Sequence, residues 1–104
     1  MTIQFNTDNN ITGSEELQAP LNAAIEKSLG RFSSQITRLE VHLNDENSHK
    51  KGQNDKRCML EARMEGRQPI AVTNNANTNE QAVKGAIDKL IASLTTIIGR
   101  ARNY

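Results

Sequence analysis

The sequence predicts an α+β domain with the element order β-α-β-β-β-α, in which two helices cover one face of a four-stranded sheet. Four short segments alternate apolar and polar residues, and two longer segments carry apolar residues at helical spacing. A chain of 104 residues has room for one domain, residues 1–104, with one modest core. Because each helix has a single apolar stripe, the pair can cover only one face of the sheet, and the other face meets solvent.

The first strand and the first helix occupy the N-terminal third of the chain. In "TIQFN", Ile3 and Phe5 fall on one face, as expected for a short strand. Ser14 is a good helix N-cap. The apolar stripe of the helix that follows consists of Leu17, Leu21, Ala24, Ile25, Leu29 and Phe32. Pro20 interrupts this helix at a cost of about 3 kcal/mol in a helix interior, so either the helix kinks there or its regular part begins there.

Three further strands follow, and the two central ones alternate without error. "RLEVHLN" directs Leu39, Val41 and Leu43 inward. Residues 57–65 direct another apolar set inward, namely Cys58, Leu60, Ala62 and Met64. The segment "DENSHKKGQND" between these strands has no apolar residue and predicts a loop. A hairpin turn containing Gly66 leads into the last strand, "IAVTN".

The second helix has a clear beginning and a long apolar stripe. Thr78 and Gln81 have the spacing of a capping box. The stripe consists of Val83, Ala86, Ile87, Leu90, Ile91, Leu94, Ile97 and Ile98. We expect this helix to extend to about Arg100.

The composition excludes several classes of function. Aromatic residues make up 3% of the chain, and Phe5 and Phe32 take core positions, so no aromatic platform for stacking bases is predicted. His42 and Cys58 point to opposite faces of the sheet, which argues against a thiolate–imidazole pair. No metal-ligand spacing and no phosphate-loop motif is present. We therefore expect no enzymatic activity, no cofactor and no metal, and we expect no signal peptide or membrane span but a cytoplasmic protein.

Two stretches and the order of elements resemble a known family. "ITGSEELQAPLNAAIEKSLGRF" and "AVKGAIDKLIASL" are similar to the two helices of the bacterial ribosome hibernation-promoting factors, also called ribosome-associated inhibitors or sigma-54 modulation proteins. The match spans nearly the whole chain. The resemblance implies the short form of the family, for which we expect no C-terminal dimerisation domain of the kind that the long form has. At the level of fold, the same layout is similar to that of double-stranded-RNA-binding domains.

The resemblance implies binding to the small ribosomal subunit through ribosomal RNA, in the channel that messenger and transfer RNA use. Lys27 and Lys89 match basic positions of the family. The family's acidic and aromatic residues near the second helix start are replaced here by Thr78 and Glu80, and this chain places arginines on its strands and turn. The full set of candidate RNA-binding residues is Lys27, Arg31, Lys50, Lys51, Arg57, Arg63, Arg67, Lys84, Lys89 and Arg100.

A second hypothesis does not involve RNA. The formal net charge is only +1, and Met59 lies among charged residues on the predicted open face. Such a face, or an edge of the sheet, could dock a protein partner. For either hypothesis a monomer is favoured.

Overall fold

The computed structural model describes residues 1–7, 15–45 and 55–102, without the side chains of residues 15–17 and 100–102. Its elements are β1 (Thr2–Thr7), α1 (Glu15–Leu29), a 3-10 turn (Gly30–Phe32), β2 (Ile36–Asp45), β3 (Lys56–Met64), β4 (Ile70–Ala76) and α2 (Asn79–Arg102). This order confirms the predicted β-α-β-β-β-α fold.

The four strands form one mixed sheet in the order β1-β2-β3-β4. β1 is parallel to β2, and the other neighbours are antiparallel. β1, β2 and β4 all end on the same side of the sheet. The helices follow β1 and β4, so both helices start at that side. They therefore run in the same direction, antiparallel to those three strands.

The core lies between the helices and one face of the sheet. From the sheet, β2 and β3 contribute the fully buried Leu39, Val41, Leu43, Cys58, Leu60 and Ala62. From the helices come Leu21, Ile25, Leu29, Val83, Ala86, Leu90 and Leu94. No polar or charged residue of the described chain is buried. Two helices on one face, as predicted, leave the opposite face of the sheet to solvent.

Local signals explain where several elements begin and end. The backbone N–H of Gln81 donates to Oγ1 of Thr78 at 3.1 Å, so Thr78 caps α2 as predicted. Gly66 has φ of +73° in the turn between β3 and β4, a conformation that other residues rarely adopt. α1 continues through Pro20 as one helix from Glu15 to Leu29, so the helix does not begin at Pro20.

Some expectations differ from the structure. Ala24 is exposed, because it lies beside the buried stripe of α1, on the flank that lines a groove between the two helices. β2 is longer than predicted, since Ile36 is also buried at its start. Ser14, the side chain of Leu17, and residues 46–54 of the predicted loop lie outside what the structure describes. Over the described residues, neither helix combines the length and apolar character that crossing a bilayer requires.

Candidate nucleic-acid interface

The open face of the sheet carries a network of ion pairs. Glu40 contacts Arg38 at 3.5 Å and Arg63 at 3.4 Å, and Arg63 also contacts Glu61 at 3.0 Å. Arg38 donates a further hydrogen bond to Gln4 of β1. The charges of these arginines are thus largely balanced within the sheet.

The strand register explains why this network forms. Arg38 of β2 is paired with Arg63 of β3, and Glu40 is paired with Glu61. Like charges directly opposite each other are unfavourable, but the diagonal and same-strand neighbours are of opposite sign. The predicted RNA-binding residue Arg63 is therefore exposed but occupied by two carboxylates. Arg57, the other predicted strand cation, is paired in the register with Asn44 and Asn75.

The helix side contains cations without such partners. Lys27 of α1 and Lys84 of α2 are exposed, and neither makes an ion pair with any carboxylate in the described part of the chain. Both line a groove of about 460 Å³ between the helices, whose apolar floor includes Leu21, Val83 and Ile87. Glu80 and Asp88 also line this groove. The groove therefore contains two ammonium groups and two carboxylates that are not bonded to them.

Lys89 is held in a different way. Its ammonium group donates to the backbone carbonyl of Thr73 at 2.7 Å. Thr73 belongs to β4, which is an edge strand. Edge strands present unpaired backbone groups, and a lysine on such an edge opposes the addition of another strand. Lys89 thus has a structural partner in addition to any contact with a ligand.

Two arginines lie at the end of the molecule where α1 finishes. Arg31 stacks over the ring of Phe32, with 4.8 Å between the guanidinium carbon and the ring centroid. Arg67 follows Gly66 in the turn between β3 and β4 and is exposed. Across residues 1–7, 15–45 and 55–102, no carboxylate is ion-paired with either arginine.

The predicted RNA-binding residues are therefore not gathered in one place. Lys27 and Lys84 share the groove, Arg31 and Arg67 lie at one end, and Arg57 and Arg63 lie on the opposite, open face. Lys50, Lys51 and the side chain of Arg100 lie outside the described residues. Sequence reasoning missed Gln35, which lies beside both arginines, and Thr95, which lies beside Arg31. No local pattern links Gln35 to Arg67 or Thr95 to Arg31, because each pair is far apart in the chain.

Cys58 and His42, the two candidates for a thiolate–imidazole pair, are held apart by the sheet. Cys58 is fully buried, and burial raises the pKa of its thiol to about 12, so it is protonated and unreactive. His42 lies on the opposite face of the sheet, paired in the register with Met59. No group of three or more His, Cys, Asp or Glu side chains in the described ranges could hold a metal ion.

Comparison with known proteins identifies the family. The model of the family described as sigma 54 modulation protein / S30EA ribosomal protein matches residues 7–102. The chain belongs to this family. The resemblance seen in the two helices is thereby confirmed.

Solved structures share the fold of this S30EA family member at low sequence identity. The N-terminal domain of Protein Y from Thermus thermophilus has a TM-score of 0.72 and 13% identity, covering 93% of this chain and 99% of that one. A ribosomal subunit interface protein from Coxiella burnetii has a TM-score of 0.71 and 20% identity, covering 95% of this chain and 99% of that one. No curated protein sequence matches the chain significantly.

Proposed function

We propose that the chain is a non-catalytic translation inhibitor that acts in the cytoplasm during ribosome hibernation. It binds the small ribosomal subunit through the backbone of ribosomal RNA and occupies the channel used by messenger and transfer RNA. Membership of the S30EA family supports this proposal. So does the fold that the chain shares with a ribosomal subunit interface protein.

The observation that carries the proposal is the unequal pairing of cations on the two sides of the molecule. On the open sheet face, Arg38 and Arg63 are engaged by carboxylates. On the helix side, Lys27 and Lys84 have no ion-pair partner among the described residues. An ammonium group without a carboxylate partner can bind a phosphate without first breaking an ion pair. The helix side is therefore the side that we assign to RNA.

In the proposed mechanism the protein occupies the channel and catalyses no reaction. Lysine and arginine side chains neutralise phosphates and release the counterions condensed on the RNA, which makes the affinity strongly dependent on salt. With Lys27, Lys84 and Arg67 each meeting one phosphate, raising the salt from 50 to 200 mM weakens binding by about 20-fold to 40-fold. The aliphatic core holds these side chains on a rigid scaffold, and steric exclusion then blocks the channel.

Cosedimentation with purified small subunits in sucrose gradients tests this function. The protein is expected to move with the subunit peak at low salt and to leave it at moderate salt. A protein that stays at the top of the gradient at low salt would contradict the proposal. That result would leave docking of a protein partner on the open sheet face as the explanation to test next.

A further inference from the structure

Two shallow depressions adjoin at the end of the molecule where both helices finish. The first is lined by Arg31 and Thr95, the second by Thr37 and Arg67, and Gln35 and Ile98 line both. Each has a volume of about 350 Å³. We call the continuous region formed by Arg31, Gln35, Arg67 and Ile98 the arginine surface. It is separate from the groove that contains Lys27 and Lys84.

Arg31 is held as a flat, exposed cation. Its guanidinium group lies over Phe32, whose side chain is buried at 7% exposure. Phe32 contacts the guanidinium from the side of the core, and Arg31 is exposed, so the guanidinium remains accessible from solvent. Proteins that bind unpaired nucleotides stack bases on aromatic rings or on guanidinium planes. In a chain with so few aromatic residues, the guanidinium of Arg31 is a planar group that is exposed to solvent.

Arg67 provides a second recognition element on the same surface. Its backbone N–H donates to the carbonyl oxygen of Met64 at 3.3 Å, which fixes the turn that presents its side chain. A guanidinium fork matches the oxygens of a phosphate better than an ammonium group does.

Electrostatics alone gives this surface only weak attraction for phosphate. Glu65 also lines the second depression, and the C-terminal ends of both helices add partial negative charge. Attraction from Arg31 and Arg67 is partly offset by these groups. Recognition at this surface therefore needs the stacking contact as well as charge.

We propose that the arginine surface binds one unpaired nucleotide of RNA, with its base stacked on Arg31 and a neighbouring phosphate on Arg67. This inference rests on the proposed function for the identity of the RNA, which is ribosomal. It adds a stacking contact with a base to the contacts with the RNA backbone. It also predicts that unpaired RNA is preferred over a sugar–phosphate chain that lacks bases.

Fluorescence anisotropy with two labelled ligands tests the stacking contact. One ligand is a short oligoadenylate, and the other is an abasic oligomer of the same length and charge. The wild-type protein is expected to prefer the oligoadenylate by about tenfold, the scale of a stacked base. Arg31→Lys keeps the charge but lacks the plane, and it is expected to bind both ligands equally. Arg67→Gln is expected to lower the affinity for both ligands by the same factor.

Arg38→Lys, on the open sheet face, is the matched control and is expected to retain the wild-type preference. Partial unfolding of a variant would lower the affinity for both ligands and leave their ratio unchanged, so the ratio reports stacking specifically. Equal affinity of the wild type for the two ligands, or a preference that survives in Arg31→Lys, would overturn the inference.

The outcomes also separate this inference from the proposed function. If the wild-type protein cosediments with small subunits but shows no preference for the ligand with bases, the proposed function is supported and nucleotide binding by the arginine surface is contradicted. If the protein prefers the ligand with bases but does not cosediment with small subunits, nucleotide binding by the arginine surface is supported and ribosome binding is contradicted.

Discussion

Asn74 of β4 fills the space above Gly85 of α2. Nδ2 of Asn74 donates to the backbone carbonyl oxygens of Gln81 at 3.3 Å and Ala82 at 3.2 Å, and so joins the last strand to the first turns of the helix. A Cβ atom added at Gly85 would lie 2.1 Å from Nδ2 of Asn74. The glycine is therefore what lets α2 lie this close to the sheet.

Gly85→Ala is expected to destabilise the protein by about 1–2 kcal/mol, despite the higher helix propensity of alanine. The new methyl group displaces the Asn74 amide, which then loses both hydrogen bonds to α2. Chemical denaturation measures the change. Gly99→Ala is the matched control, because nothing lies within 4 Å of a Cβ at Gly99. That variant is expected to gain up to about 1 kcal/mol. Equal effects of the two substitutions would refute this role of Asn74.

The contact between Lys89 and the edge strand leads to a second prediction. Lys89→Gln loses the hydrogen bond to the carbonyl oxygen of Thr73 and is expected to cost about 1 kcal/mol of unfolding free energy. Lys84→Gln, on the same helix and also exposed, is expected to change stability by less than about 0.5 kcal/mol. Thermal unfolding of the two variants side by side checks this. If both variants melted together with the wild type, the edge contact would not stabilise the fold.

The buried thiol of Cys58 predicts how stability depends on alkaline pH. Burial raises its pKa from 9.0 to about 12, so the folded state keeps the proton over a range in which the unfolded state releases it. Below pH 9 both states keep the proton, so this group makes the unfolding free energy neither larger nor smaller as the pH changes. From pH 9 towards 12 only the unfolded state releases the proton, so the unfolding free energy falls as the pH rises. The slope from this thiol approaches about 1.4 kcal/mol per pH unit.

Denaturation curves across this range for the wild type and Cys58→Ala measure that slope. Below pH 9 the variant is less stable than the wild type because it leaves a cavity. However, its stability is expected to fall less steeply above pH 9. Parallel pH profiles for the two proteins would show that the thiol titrates normally in the folded state.

The ion pairs on the open sheet face give a fourth prediction. Glu40 lies between Arg38 and Arg63 and its side chain is 16% exposed. Glu40→Gln leaves two arginines opposite each other and is expected to cost about 1 kcal/mol at low salt. Added salt screens the repulsion, so the difference from the wild type should shrink. Glu61→Gln removes a single contact and should cost less. A cost for Glu40→Gln that does not change with salt would speak against an electrostatic origin.

The fold could be predicted from the sequence because each of its signals is local. Alternation in β2 and β3, the capping residue Thr78 and the turn glycine Gly66 depend only on neighbouring residues. The exposure of Ala24 could not be predicted, because it depends on how α1 is rotated against α2 and the sheet. Nor does periodicity determine that β1 is parallel to β2.

The candidate site was less predictable than the fold. Positive side chains can be identified from the sequence, but their partners depend on strand register and helix packing. Arg63 and Lys27 are both cations at predicted surface positions in the sequence. Arg63 forms an ion pair with Glu40 across the sheet, whereas Lys27 forms no ion pair with a carboxylate in the described chain. Lys89 reaches an edge carbonyl sixteen residues away in sequence. Such pairings arise only when the sheet is assembled.

The most direct measurement of the central claim compares two double variants that remove the same charge from opposite sides of the molecule. Lys27→Gln with Lys84→Gln removes the unpaired cations of the groove, and Arg38→Gln with Arg63→Gln removes paired cations of the sheet. In low-salt cosedimentation with small subunits, the groove variant is expected to lose about tenfold in affinity or more. The sheet variant is expected to stay within about twofold of the wild type. Equal losses, or a greater loss for the sheet variant, would contradict RNA binding by the helix side.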